Sequence, residues 1–400
     1  MVNVVSINLG NAGSTGGIAR NIKKYGNNVG ICVYTAYPAS KSVKPREEND
    51  IIIGHDFFRR VSRKLAVYTG LNGCFSVFST ILFLKELNKI SPDIIHLHNL
   101  HHSYVNLPLL FRYIKKNNIK VVWTLHDCWA FTGQCAHFTM SQCYKWKTGC
   151  HDCRQCHIYP EAKVDKTRLM WKKKRQWFTK VNNLQIVTPS RWLESLVKES
   201  FLKEYPVTVI NNGIDTTVFT KKLSEFKKKY DCENKHIILG IAFGWGYKKG
   251  YDVFLKLADE LPNEYQIVIV GNVGDLERKD NIIYINRTHD QAELVELYSA
   301  SEVFVNPTRE EVFGLVNVEA QACGVPVITF NTGGSPETIS EKTGIVIENE
   351  NFDKLKEEII RVVTEHPFCV TDCIEQANQM SVDNMVSRYI KLYSSILGGE

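Results

Sequence analysis

The chain has 400 residues, 44% hydrophobic and 23% charged, a composition of ordinary globular protein with room for two or three domains. No apolar run of signal-peptide length follows Met1, and no stretch nears the roughly 18 uncharged apolar residues of a membrane span, so neither a secreted nor a spanning protein is expected. The net charge of +6 is unevenly laid out: residues 1–180 hold 27 Lys and Arg against 10 Asp and Glu, a balance of +17, and the remainder holds 22 against 33, a balance of −11. Such a basic half should face something anionic, nucleic acid or a membrane surface with phosphorylated lipid, the alternative being a solvated basic face.

In chain order, Val2 to Leu9 and Ile31 to Thr35 read as strands. Between them, Gly10-Asn-Ala-Gly13-Ser-Thr-Gly16-Gly17 invites a dinucleotide reading, but that site wants an acidic residue about 20 positions on, and no Asp or Glu stands between Gly10 and Arg46. Leu71 to Leu84 is apolar but broken by Asn72, Gly73, Ser76, Ser79 and Thr80, which predicts a buried or interfacial helix. Short buried strands follow at Asp93 to His98 and Val121 to Leu125, joined by a helical run from Tyr104 to Lys116, and Gln185 to Thr188 ends the first half.

Six of the twelve cysteines crowd into 29 residues: Cys128, Cys135, Cys143, Cys150, Cys153 and Cys156. In a reducing compartment, spacing of this kind favours a structural zinc site, with Cys135, Cys143, Cys150 and Cys153 as the chosen ligands; free thiols and disulfides are the alternatives. Four thiolates leave no open position, so the metal would not be catalytic. Lys163 to Lys180 then carries Lys172-Lys-Lys-Arg175 among Trp171, Trp177 and Phe178. It reads as a basic helix that lies on an anionic membrane, grips nucleic acid, or turns its aromatics inward.

The pattern restarts with strands at Val207 to Ile210, His236 to Ile241, Gln266 to Val270, Ile282 to Ile285 and Val303 to Val305, with helices at Tyr251 to Glu260 and Gln291 to Ala300. Alternating strand and helix predicts an α/β protein with a parallel doubly wound sheet built twice. The expected domains are 1–190 with a Cys-rich insert at about 128–160, 191–381, and a final helix in 382–400 that packs back on the first domain.

Glu311 and Glu319 stand eight residues apart in Glu311-Val-Phe313-Gly314-Leu315-Val-Asn-Val-Glu319, followed by Gly324-Val-Pro326. A strand runs into a loop with one carboxylate, and a helix opening at Phe313-Gly314-Leu315 carries the second. Open N–H groups at a helix start attract phosphate, Gly314 lets a ligand approach the backbone, and a nearby carboxylate can accept from a ribose diol. The layout suits a sugar nucleotide, with diphosphate at the helix start, ribose on Glu319 and the transferred sugar near Glu311.

These residues resemble the nucleotide-sugar signature of family 4 retaining glycosyltransferases, enzymes of the GT-B fold, in which two Rossmann-like domains face each other across a cleft. Asn211-Asn-Gly-Ile-Asp215 and Gly333-Gly-Ser-Pro-Glu337 are similar to further family segments. The resemblance implies that Lys249 meets the donor diphosphate, that Gly16 and Gly17 approach donor phosphates and acceptor, and that His126 binds a donor hydroxyl or developing charge. Where the family usually has an arginine this chain has Gly244, and Lys248 is the candidate replacement. The Cys-rich insert resembles a subgroup from exopolysaccharide and capsule pathways.

The same resemblance implies a retaining transfer of a hexose from a UDP- or GDP-sugar to a glycan or lipid-linked oligosaccharide, by front-face attack and without a catalytic cofactor, no Asp-x-Asp motif being present. The protein is expected in the cytoplasm, peripheral on the inner face of the membrane, with no nucleic-acid partner. Two other readings are a sugar-nucleotide epimerase of the same fold and a zinc-dependent nucleic-acid-binding module; the second leaves the Glu311–Glu319 segment unexplained.

Overall fold

The computed structural model describes residues 2–26, 29–40, 46–288 and 290–398. The chain forms two compact units, Met1–Ile210 with Val386–Glu400, and Asn211–Met385.

The first unit is built on seven strands: β1 (Val2–Ile7), β2 (Ile31–Pro38), β3 (Asp50–Ile53), β4 (Ile94–Leu97), β5 (Lys120–Thr124), β6 (Leu184–Thr188) and β7 (Val207–Val209). Their order across the sheet is β3-β2-β1-β4-β5-β6-β7, and every pairing is parallel. All four residues of β4 are buried, as in a sheet covered by helices on both faces. The order reverses between β1 and β4, and in such sheets ligands gather beyond the carboxyl ends at the reversal.

Val207–Val209, expected to open the second sheet, instead closes the first, because it pairs with β6 from Ile186–Val207 to Thr188–Val209. The strand Asp50–Ile53 was hidden from sequence reading by its Asn-Asp start, which looks like a turn. In the fold the Asp50 carboxylate is buried, 2.8 Å from Lys23 Nζ and accepting from Tyr37 Oη at 2.6 Å. The helix predicted from Tyr104 begins at Leu107, where the Asn106 side chain caps it by accepting from the Leu109 N–H at 3.1 Å. The C-terminal helix Val382–Leu397 brings Tyr393 Oη to 2.6 Å from His96 Nδ1 and Tyr389 Oη to 3.0 Å from Thr124 Oγ1.

The second unit carries β8 (His236–Gly244), β9 (Tyr265–Asn272), β10 (Ile282–Ile285), β11 (Val303–Asn306), β12 (Val327–Phe330) and β13 (Gly344–Ile347), in the order β10-β9-β8-β11-β12-β13. These pairings too are all parallel. Successive strand residues serve opposite cores: Leu239 and Phe304 pack with Tyr298 and Val318 on one face, Ile238 and Val305 with Phe254 and Ile359 on the other.

Candidate functional site

In the second unit the site grows from the loop after β11. That loop ends at Gly314, whose φ of 89° is left-handed, and an added Cβ would lie 3.2 Å from Ser335 Oγ and 3.3 Å from Asn317 Nδ2. The helix Leu315–Ala322 starts there with no side-chain cap; the Asn317 N–H donates to the Gly314 carbonyl at 3.0 Å, which leaves the Leu315 and Val316 N–H groups for an anion. Phe313 is buried in the core beneath, and Leu315 packs partly against the same cluster, so both set the helix start from below.

A second segment is zipped to this loop. The Arg309 N–H donates to the Lys248 carbonyl at 2.9 Å, and a Cβ on left-handed Gly250 would collide with the Pro307 oxygen. Lys249 Nζ lies 2.8 Å from Glu311 Oε2, and Lys248 Nζ lies 3.0 Å from Glu310 Oε2. The other Glu311 oxygen accepts from the Val312 N–H at 3.0 Å. Two predicted residues, Lys249 and Glu311, are thus brought into direct contact.

The strut of this arrangement is Arg309, which sequence reading passed over although it stands beside Glu310. Its guanidinium reaches both Asp252 oxygens at 2.7 and 2.8 Å, Glu350 Oε2 at 2.8 Å and the Tyr247 carbonyl at 2.5 Å, and it stacks 3.8 Å from the Tyr247 ring. Asn317, equally unforeseen, is fully buried; it accepts from Asn306 Nδ2 at 2.8 Å and donates to Thr338 Oγ1 at 3.0 Å and Ser335 Oγ at 3.3 Å. This network ties the helix to the segment that follows Gly333-Gly334.

Glu319 sits on the next turn of the helix and accepts from the buried Tyr298 hydroxyl at 3.0 Å. Burial pushes its carboxyl up to about 7, and the Tyr298 hydrogen bond offsets only part of this. A raised carboxyl favours the folded protein while protonated. That contribution is whole below the ordinary value of 4.5, disappears as pH rises through about 7, and amounts to about 3 kcal/mol. Glu319→Gln should therefore gain stability relative to wild type between pH 5 and 7.5, read as a difference in melting temperature. Parallel pH profiles for the two proteins would show that this carboxyl does not titrate there.

In the first unit, His126 stands just beyond β5, with its Nε2 3.0 Å from Nδ1 of His98, just beyond β4, and the two rings stacked. Burial lowers His126 to about 4 and holds His98 well below the ordinary range, so both are neutral at pH 7. Asp127 accepts from the Trp129 N–H at 2.8 Å and lies 3.4 Å from His101 Nε2. The pair His96-Leu-His98 on a buried strand was the available signal for this cluster. Gly16 and Gly17 lie in the first two turns of the helix Gly13–Gly26. A Cβ at Gly16 would strike the Asn11 carbonyl carbon at 2.5 Å, so that glycine serves close packing, whereas Gly17 faces open space.

The thiols of Cys135, Cys143, Cys150 and Cys153 line one pocket of about 280 Å³. All twelve cysteines are free, which removes the disulfide alternative from this structure. Cys150 Sγ accepts from the Gly133 N–H at 3.1 Å, a contact suited to a thiolate ligand. Among the described residues, however, no three His, Cys, Asp or Glu side chains already converge as a metal site does. The predicted basic helix runs over Thr167–Phe178, and of its three readings the structure takes the inward one for the aromatics: Trp171, Trp177 and Phe178 are buried. Lys174 is also buried, its Nζ donating to the Trp129 and Thr132 carbonyls at 2.6 and 3.1 Å.

Comparison with known proteins places these features. Residues 17–218 match the family profile "Glycosyltransferase Family 4", just over half of the chain, and residues 223–380 match "Glycosyl transferases group 1". WcaC of Escherichia coli strain K12, assigned to colanic acid biosynthesis as a glycosyl transferase, is 25% identical over 375 residues, 88% of this chain and 89% of its own. Among solved structures, sucrose-phosphate synthase from Thermosynechococcus elongatus superposes with a TM-score of 0.74 at 16% identity over 100% of both chains. Anabaena HepE, solved with UDP and glucose, gives 0.68 at 13% identity, covering 99% of this chain and 100% of its own. These likenesses establish the GT-B fold. The family 4 match, covering β2 to β7, goes further: this chain belongs to glycosyltransferase family 4 and is an enzyme of that kind.

Proposed function

We propose that the protein is a retaining transferase that moves a hexose from a UDP- or GDP-sugar to a glycan carried on a lipid, in the assembly of a surface polysaccharide. The observation that carries this reading is the contact between Lys249 and Glu311 at 2.8 Å beside the uncapped helix start at Gly314. A donor diphosphate entering there competes for Lys249 and frees the Glu311 carboxylate to accept from a hydroxyl of the transferred sugar. As the glycosidic bond breaks, charge on the β-phosphate is met by Lys249, with Lys248 adjacent, and by the helix N–H groups. Glu319 accepts from the ribose diol. In the first unit, neutral His126, stacked on His98, has a ring suited to hydrogen-bond a hydroxyl.

A glycan acceptor is supported by the colanic acid role in the name of WcaC and by a polar pocket of about 240 Å³ in the first unit, lined by Arg63, Asn72, His102, His157, Tyr159 and Glu161. A guanidinium, two imidazoles, a carboxylate, an amide and a phenol together suit a hydroxyl-rich ligand. The reading is tested by following transfer from an α-linked sugar nucleotide by NMR. The product should carry an α linkage; a β linkage would refute retention, and an altered sugar released without an acceptor would favour the epimerase.

For the Cys-rich pocket we propose a structural zinc ion drawn between Cys135, Cys143, Cys150 and Cys153, the buried Lys174 ammonium compensating part of the thiolate charge. Elemental analysis of protein purified without chelator should give close to one zinc per chain, and serine at any one of the four should lower that content. A metal-free protein with unchanged folding would leave these as packed thiols.

A further inference from the structure

Two helices of the first unit are inverted relative to ordinary soluble packing. On Asp56–Thr69 the inward side presents Ser62 and Ala66, while Phe57, Phe58, Val61, Leu65 and Tyr68 are between 40% and 65% exposed. On Val77–Ile90 the buried residues are Ser79, Thr80, Phe83 and Leu87, while Val77, Phe78, Ile81 and Leu82 are between 42% and 69% exposed. The spacing Phe57, Val61, Leu65, Tyr68 keeps one helical face. Phe58, Phe78 and Leu82 line the same groove of about 480 Å³, so the two faces form one surface. Scattered exposed apolar residues need no explanation, but a contiguous set of this size does.

The surroundings of this surface are basic. Arg60, Arg63 and Lys64 are exposed on the first helix, Lys85 and Lys89 on the second. Arg60 pairs with Asp56 at 3.1 Å and Lys89 with Glu86 at 2.8 Å. Arg63, Lys64 and Lys85 have no carboxylate partner within ion-pair distance among the described residues.

We propose that this face docks the enzyme on an anionic lipid bilayer, with the Phe and aliphatic side chains at the headgroup boundary and Arg63, Lys64 and Lys85 against lipid phosphates. Amphipathic helices with aromatics on one side and cations at the rim bind in this way, and each juxtamembrane cation adds to the attraction for acidic lipid. A second copy of the chain is a poorer occupant, because it would bring the same unpaired cations face to face. The first half's balance of +17 favours the same partner. This surface replaces the Lys163 to Lys180 segment, whose aromatics are buried. The inference deepens the lipid-linked acceptor reading, yet vesicle binding can be measured without any donor or acceptor.

The full chain is sedimented with phosphatidylcholine vesicles, with and without phosphatidylglycerol. Wild type should bind the acidic vesicles and release them as salt is raised. Phe58→Ser with Phe78→Ser should lower partitioning roughly tenfold or more, and Lys64→Gln with Lys85→Gln should remove roughly tenfold of the preference for acidic lipid. Melting temperature should hold in both variants, since all four side chains are exposed. Wild type that ignores both vesicles, or variants that bind as wild type does, would overturn the proposal. So would a wild-type dimer, without vesicle binding, that the phenylalanine changes dissociate. Vesicle binding without any nucleotide-induced thermal shift would instead retain the membrane face and count against the transferase reading.

Discussion

Lys249→Ala should lower the transfer rate by roughly 10²–10³-fold while barely changing stability. The rate loss follows from its role: a preorganised cation aimed at a leaving diphosphate acts where charge builds, and removing one such group typically costs that much. The small stability effect follows from geometry. Lys249 and Glu311 side chains are 31% and 22% exposed, so water compensates much of their lost pairing, and such a partly solvated pair contributes about 0–1 kcal/mol. The check is kcat with donor and acceptor saturating, beside a melting curve. Lys249→Arg should recover part of the rate, because the charge returns without the same reach. An unchanged rate in Lys249→Ala would remove the phosphate role.

Arg309→Met should do the reverse, costing stability first and donor affinity as a consequence. The guanidinium side chain is 4% exposed, but its partners Asp252 and Glu350 are 48% and 51% exposed. Breaking a fully buried pair costs about 3–5 kcal/mol; here the stranded carboxylates regain water, so about 2 kcal/mol is expected. The segments carrying Lys248, Lys249, Glu310 and Glu311 would then lose a shared anchor, and nucleotide affinity should fall roughly tenfold. Denaturant unfolding and nucleotide titration read the two effects separately. Lost stability with wild-type affinity would confine Arg309 to folding.

Much of this architecture could be read from sequence because both sheets are parallel and covered on two faces, which writes strands as short apolar runs such as Ile94–Leu97 and Val327–Phe330. The strands missed were those whose ends carry the wrong letters: Asp50–Ile53, with a buried aspartate held by Lys23, and Gly344–Ile347, where a Cβ on Gly344 would collide with the Val327 oxygen. At the site, charged residues in a recognisable order were visible, but their supports were not. Arg309 looks like one more surface arginine until Asp252 and Glu350 arrive from distant segments, and His98 looks like a core residue until His126 meets it. The aromatics of Lys163 to Lys180 could not be assigned a side from composition, because Trp171 meets the Cys-rich segment only in the fold, its Nε1 donating to the Trp146 carbonyl at 2.9 Å. Of the two inverted helices, Asp56–Thr69 escaped notice, whereas Leu71 to Leu84 reads as buried or interfacial and contains the start of the helix Val77–Ile90, whose outer face is apolar.

The most direct test of a nucleotide-sugar site in the second unit is calorimetric titration of UDP, GDP, ADP and their common sugars into wild type and Glu319→Ala. One nucleotide family should bind wild type, and the substitution should weaken that binding at least tenfold (about 1.4 kcal/mol) with the fold intact. Equal affinity in the two proteins, or no binding of any nucleotide to wild type, would contradict a donor site built on Glu319.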